Sequence, residues 1–126
     1  MVLVDTSVWI RFLANRPPFT TELDRLLALD EVTGHEFVYG ELLIGDRGGR
    51  GKLLTDYRKM HQASIIPHHD VVAFVRARDL HGRGVGWIDV HLLASAVVEQ
   101  LSLWTADPRF AAVAKELGVA HQISTS

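Results

Sequence analysis

The sequence predicts an α/β protein, a three-layer α/β/α sandwich around a central, mostly parallel sheet. Short apolar runs rich in β-branched residues alternate with longer stretches in which apolar residues recur at helical spacing. This alternation is typical of strands joined by helical crossovers, which cover both faces of a parallel sheet. With 126 residues and no repeat or linker, the chain is expected to form one domain over residues 1–126.

The first half of the chain is predicted to begin with a strand that turns sharply into a helix. Asp5, Thr6 and Ser7 follow the apolar Val2–Val4 run, and each of them is a residue type that caps helices. The Pro17-Pro18 pair ends the first helix, because proline cannot continue a helix interior. The predicted elements are a strand at Val2–Val4, helices at 8–13 and 19–30, a strand at 32–33, and helices at Glu36–Ile44 and 53–60.

The second half is predicted to repeat this alternation. Pro67 closes a strand candidate, a glycine-rich stretch over residues 81–86 reads as a flexible connection, and Asp107-Pro108 is a typical helix start. The predicted elements are a strand at 64–67, helices at 71–80 and 89–100, a strand at 101–105, a helix from Asp107 to about Leu117, and a last strand at 119–123.

The composition excludes several classes of protein. The chain has no cysteine, which rules out disulfides and thiolate metal sites and fits a reducing compartment, so the cytoplasm is expected. No apolar stretch reaches the roughly 18 residues that a membrane span needs. The net charge of −2 is not that of a typical nucleic-acid binder. An acidic pocket that holds metal ions lowers the net charge while leaving the rim free to be basic.

Two acidic residues follow predicted strands. Asp5 and Asp107 lie at the carboxyl ends of their strands, which is where open parallel sheets bind ligands. Each has an alternative role as a helix cap.

Two further acids lie on predicted helices beside apolar residues. Glu41 shares a face with Phe37, Val38 and Ile44, and Asp89 begins the stripe of Leu92, Leu93 and Ala96. A partly buried carboxylate needs a cation, a shared proton or a metal. A cation shared by all four acids explains their placement, and oxygen ligands without cysteine or a paired histidine motif favour Mg²⁺ or Mn²⁺. Such ions activate water for phosphodiester hydrolysis.

The same acids stand in segments that resemble the PIN-domain nucleases. These segments are Leu3-Val4-Asp5-Thr6-Ser7-Val8-Trp9, Gly40-Glu41-Leu42-Leu43-Ile44-Gly45, Ile88-Asp89-Val90 with Leu93-Ala94-Ser95-Ala96, and Trp104-Thr105-Ala106-Asp107-Pro108-Arg109-Phe110. The resemblance covers nearly the whole chain, and the four segments occur in the order and at the spacing typical of the family. In its compact length the chain resembles the VapC toxins of bacterial toxin-antitoxin pairs.

This resemblance implies a Mg²⁺- or Mn²⁺-dependent endoribonuclease that inhibits growth by cutting RNA. Asp5, Glu41, Asp89 and Asp107 match the acidic quartet of the family, and Thr6 or Ser7 matches the polar residue beside it. The resemblance also implies a homodimer and a cognate antitoxin that blocks the acidic pocket.

Four residues are candidates for positioning the substrate. Thr6 and Ser7 adjoin the first acid, and Arg47 and Arg50 lie in a glycine-rich loop that can meet RNA phosphates, although a solvated loop with scattered charge is the other interpretation. A receiver-like signalling module is an alternative for the whole chain. It is disfavoured because Thr6 and Ser7, not further acids, follow Asp5. A domain that binds Mg²⁺ and a partner without cleaving RNA is the remaining alternative.

Overall fold

The computed structural model describes residues 1–123. The strands are β1 (Val2–Val4), β2 (Val32–Gly34), β3 (His61–Gln62) and β4 (Ser102–Trp104), and the helices are α1 (Thr6–Leu13), α2 (Phe19–Ala28), α3 (Glu36–Ile44), α4 (Gly51–Lys59), α5 (His68–Ala77), α6 (Trp87–Glu99) and α7 (Pro108–Glu116). The alternation of strands and helices that the sequence predicts is confirmed.

The four strands form one parallel sheet in the order β3-β2-β1-β4. The chain moves outward from β1 to β2 to β3, then returns across the sheet to place β4 on the other side of β1. Because parallel crossovers are right-handed, this reversal puts the helices between β3 and β4 on the face opposite to α1–α4. The predicted α/β/α sandwich with a parallel sheet is confirmed.

The core lies on both faces of the two central strands. Leu3 and Val4 of β1 are fully buried, and α6 is buried without interruption from Val90 to Ala96. A helix that is apolar on nearly all sides must be surrounded by other elements, and α6 packs against both α5 and β4. This packing places Asp89, which directly precedes the buried run, beside the sheet.

The third strand lies earlier than the sequence predicts. The predicted strand at residues 64–67 is wrong, and the strand is His61–Gln62. Side chains of α6 take the backbone groups of Ser64: its N–H donates to Glu99 at 2.9 Å and its carbonyl accepts from Ser95 at 2.8 Å. These bonds hold Ser64 against α6, and its N–H is not available to a strand ladder.

Other boundaries differ by smaller amounts. The first helix begins at Thr6 rather than at residue 8, and the strand predicted at 119–123 is reduced to a single parallel bridge between Leu103 and Ala120. Within residues 1–123, no helix combines the length and the hydrophobicity needed to cross a membrane.

Candidate active site

Asp5 lies at the point where the strand order of the sheet reverses. It directly follows β1, its N–H donates to the carbonyl of Trp104 in the neighbouring β4, and it is 6% exposed. Although Asp5 precedes α1, its side chain makes no capping hydrogen bond. Instead Asp5 Oδ2 accepts from Ser7 Oγ at 2.7 Å and from Thr105 Oγ1 at 2.9 Å. The carboxylate is therefore oriented across the carboxyl end of the sheet, and the capping alternative does not apply to it.

The segment after β4 meets the segment after β1 at this edge. The N–H of Ala106 donates to Ser7 Oγ at 3.0 Å, and the N–H of Asp107 donates to Thr105 Oγ1 at 3.1 Å. Asp107 caps α7, since its Oδ1 accepts from the N–H of Arg109 at 2.9 Å. The capping role that the sequence suggests for Asp107 is therefore confirmed. Capping uses only Oδ1 and leaves Oδ2 of Asp107 free.

Glu41 reaches the same region from α3. Its Oε1 accepts a hydrogen bond of 2.6 Å from Thr6 Oγ1, which links α3 to the first residue of α1. Glu41 is half-buried as predicted, but Ile44 is 88% exposed and does not contribute to this burial. The buried face of α3 is formed by Val38 and Leu42, whereas Phe37 and Ile44 border an apolar surface beside Glu41 that is open to solvent.

Asp89 lies in the first turn of α6. Its Oδ2 accepts a hydrogen bond of 2.8 Å from the N–H of Gly86. Burial raises the pKa of Asp89, and repulsion by Asp5, Asp107 and Glu41 raises it further against the lowering effect of the Gly86 hydrogen bond. The other three predicted acids are thus close enough to Asp89 to raise its pKa.

These four carboxylates have the donor chemistry of a site for a hard divalent cation. None of them forms a salt bridge with Lys or Arg within residues 1–123, and each engages a single oxygen in the hydrogen bonds described above. Oxygen ligands of this kind suit Mg²⁺ or Mn²⁺. In the described part of the chain, however, no group of three or more Asp, Glu or His side chains is arranged to hold a metal ion. The chemistry of the donor set fits such an ion.

The four candidate positioning residues divide into two pairs. Thr6 and Ser7 lie among the acids, where they donate to Glu41 and Asp5. Arg50 instead donates to the carbonyl of Leu42 at 2.8 Å, and so satisfies a backbone group near the end of α3. Arg47 is exposed, and neither arginine lines the cavities that contain Glu41 or Asp107. Within residues 1–123, neither Arg47 nor Arg50 forms a hydrogen bond or a salt bridge with any of the four carboxylates.

Thr105, Arg11 and Arg109 belong to the surroundings of the site and were not among the predicted site residues. Thr105 follows β4 where Asp5 follows β1, so the parallel pairing of the two strands places them side by side. Arg11 lies one helical turn after Ser7, and Arg109 lies two residues after Asp107. The helical spacing from Ser7 could have indicated Arg11 from the sequence. Thr105 could be found only by knowing that β4 pairs with β1.

The family of the chain follows from comparisons with known proteins. The family model described as PIN domain matches residues 2–116. Ribonuclease VapC32 of Mycobacterium tuberculosis is 40% identical over 121 residues, which span 95% of this chain and 95% of that protein, in two strains.

Two solved structures share the fold. The crystal structure of FitAcB from Neisseria gonorrhoeae has a TM-score of 0.62 and 23% identity, covering 95% of both chains. The crystal structure of PAE2754 from Pyrobaculum aerophilum has a TM-score of 0.59 and 15% identity, covering 93% of this chain and 94% of that one. These likenesses agree with the α/β sandwich, and together with the family match and the identity to VapC32 they establish that the chain belongs to the PIN-domain family as a VapC-type member.

Proposed function

We propose that the protein is a cytoplasmic, Mg²⁺- or Mn²⁺-dependent endoribonuclease and the toxin of a type II toxin-antitoxin pair. The observation that supports this most directly is the meeting of four carboxylates at the reversal point of the sheet without a salt-bridging Lys or Arg in residues 1–123. Carboxylates in such a place repel one another until a cation joins them. The PIN-domain match and the ribonuclease named VapC32 support RNA as the substrate.

Asp5, Glu41, Asp89 and Asp107 would hold the ion, each through the oxygen left free by its structural hydrogen bond. When bound, Mg²⁺ or Mn²⁺ lowers the pKa of a coordinated water and neutralises charge on the phosphate. The overall hydrolysis would add one water molecule across one ester bond, so that the water oxygen bonds to phosphorus, the bond to the leaving oxygen breaks, and the leaving oxygen receives a proton.

The chain itself orients the carboxylates for this reaction. Ser7 and Thr105 both donate to Asp5 Oδ2, which leaves Oδ1 to face a ligand. Thr6 donates to Oε1 of Glu41, which leaves Oε2 to face a ligand. Hydrogen bonds to the ligands of a metal fix their orientation and contribute to metal affinity. Thr6 and Ser7 therefore act on the substrate through the carboxylates.

An apolar cleft beside Glu41 supports the antitoxin partner. The cleft has a volume of about 410 Å³ and is bordered by Ile44, Trp87 and Ile88. Ile44 is 88% exposed and Trp87 is 44% exposed, which is unusual for large apolar side chains that adjoin one another. An antitoxin segment with an apolar face would cover these residues and reach the acids. Ile44→Asp is expected to weaken the complex with the antitoxin without reducing cleavage by the free protein.

The predicted homodimer remains an expectation. Sedimentation equilibrium of the purified chain measures it directly, and a monomer at all concentrations would exclude it.

The experiment that tests the proposed function is cleavage of total cellular RNA by the purified protein. The reactions contain Mg²⁺, Mn²⁺ or a chelator, and they compare wild type with an Asp5→Asn, Asp89→Asn double variant. Asp24→Asn is the matched control, because Asp24 is an exposed acid on α2 outside the site. We expect cleavage by wild type and the Asp24 variant only when metal is present, and none by the double variant.

Two other outcomes would contradict the proposal. Cleavage that persists in chelator, or in the double variant, would show that the carboxylates do not perform the reaction. A wild type that binds Mn²⁺ but leaves all RNA intact would favour the binding-only alternative instead.

A further inference from the structure

A cavity of about 510 Å³ lies next to the acids, on the side of α1 and α7. Asp107 and Ser7 line it from the acidic side, and Arg11 and Arg109 line it as well. The cavity therefore joins a candidate metal ligand to two guanidinium groups. A site with this charge distribution suits an anion that extends away from a bound cation.

Arg11 is held in place and retains free donors. Its Nη1 donates to the carbonyl of Ser7 at 2.9 Å, and its guanidinium lies 5.6 Å from the ring centroid of Phe19. A guanidinium has five N–H donors. Within residues 1–123 Arg11 forms no salt bridge with a carboxylate, so its charge is available to a ligand.

Arg109 lies against the loop before α6. A Cβ atom added to Gly84 would lie 2.7 Å from Cδ of Arg109, so only glycine allows the loop to approach this side chain so closely. Gly84 has a φ of +79°, a conformation that also favours glycine. Arg109 is exposed, and in the described part of the chain it too lacks a salt bridge.

We propose that Arg11 and Arg109 bind an RNA phosphate adjacent to the one that is cleaved, and so position the strand on the acidic site. This inference rests on the proposed ribonuclease function and adds the contact that places the substrate. Two arginines that converge on one cavity supply several charge-assisted hydrogen bonds to phosphate oxygens. Because the contact is to the backbone, it adds affinity for RNA of any sequence.

Binding is measured separately from cleavage. Fluorescence anisotropy of a labelled single-stranded 16-nucleotide RNA of mixed sequence is recorded in an Asp89→Asn background, which prevents cleavage. We expect Arg11→Ala, Arg109→Ala together to weaken binding about tenfold or more. The slope of log K against log salt should fall by about 0.7, since the variant loses its contact to one phosphate of a single strand.

Arg76→Ala and Arg78→Ala together are the matched control for charge. Both arginines are exposed and neither lines the cavity, so their removal changes the net charge by the same two units and should leave the affinity and the slope unchanged. Gly84→Ala tests the position of Arg109, with Gly82→Ala as its control. Gly82 also has a positive φ, of +70°, but a Cβ there would meet nothing within 4 Å. Only the Gly84 variant is expected to weaken RNA binding.

Cleavage in the native background distinguishes this inference from the proposed function. The double arginine variant should raise KM for RNA with a smaller effect on kcat, and circular dichroism should show an unchanged fold. If wild type cleaves RNA and the arginine variant binds and cleaves equally well, the phosphate site is refuted while the nuclease stands. If wild type cleaves nothing and the arginine pair does not alter RNA binding, both fail. RNA binding that depends on the arginines without any cleavage would keep the site and overturn the nuclease.

Discussion

Replacing Thr6 with valine tests whether the hydrogen bonds around the carboxylates serve metal binding. Thr6 Oγ1 donates to Glu41 Oε1 at 2.6 Å across the contact between α1 and α3. Valine has nearly the same shape, so Thr6→Val removes the donor with little change in packing. Glu41 then loses the contact that selects its rotamer.

The expected magnitude follows from the type and surroundings of this bond. A hydrogen bond to a charged group contributes about 1.5–3 kcal/mol when it is well shielded. Both residues are only partly buried, so the lower end applies, and a loss of about 1.4 kcal/mol corresponds to tenfold weaker metal binding. We therefore expect the Kd for Mn²⁺ to rise about tenfold, within the range found for groups that orient metal ligands.

Isothermal titration of the metal-free protein with Mn²⁺ at neutral pH measures the effect. Thr6→Ser is the matched control, because it keeps the hydroxyl and loses only a methyl group, and its affinity should stay within a few-fold of wild type. A folded valine variant that binds Mn²⁺ as tightly as the serine variant would show that the hydrogen bond from Thr6 to Glu41 does not contribute to metal binding.

Three further predictions concern stability. Tyr57→Phe should lower the free energy of unfolding by about 2 kcal/mol in urea denaturation, because the buried N–H of His35 donates to the Tyr57 hydroxyl at 2.8 Å and would lose its partner. Tyr39→Phe is the control, and an equal loss in both variants would contradict this assignment. Burial lowers the pKa of His35 to about 4, so its contribution to stability is present above pH 6.5 and is lost as the pH falls from 6.5 towards 4. His35→Asn, which keeps an acceptor for helix capping, should flatten this part of the pH profile, and an unchanged profile would exclude His35 as its source. Asp89→Asn should raise the stability of the metal-free protein at pH 7, because burial and then repulsion raise the pKa of Asp89. This gain should shrink as the pH falls towards the ordinary carboxyl value of 3.8, and a variant less stable than wild type at pH 7 would refute it.

The sequence alone determined the fold class and the choice of acids. Local patterns carry this information, because apolar periodicity and β-branched runs depend on neighbours a few residues apart. Val2–Val4 and Glu36–Ile44 have the bounds predicted for them. Asp5 and Asp107 follow strands in the structure, as they do in the prediction. Their assignment as metal ligands remains a prediction.

Some features depended on tertiary structure because they join residues that are distant in the chain. The strand expected at 64–67 fails because Glu99 and Ser95, from another element, take the backbone groups of Ser64. Similarly, no local sequence pattern indicates that Thr105 donates a hydrogen bond to Asp5, or that the side chain of Arg109 lies against Gly84.

The order of the strands decided most of the site. The return of the chain from β3 to β4 brings residues 105–109 beside residues 5–11. A sequence pattern specifies that a segment is a strand with a buried face, but the partner of that strand is chosen by how all the helices fill the space above and below the sheet. The acids could therefore be selected from the sequence, whereas the arginine-lined cavity beside them could be found only from the folded chain.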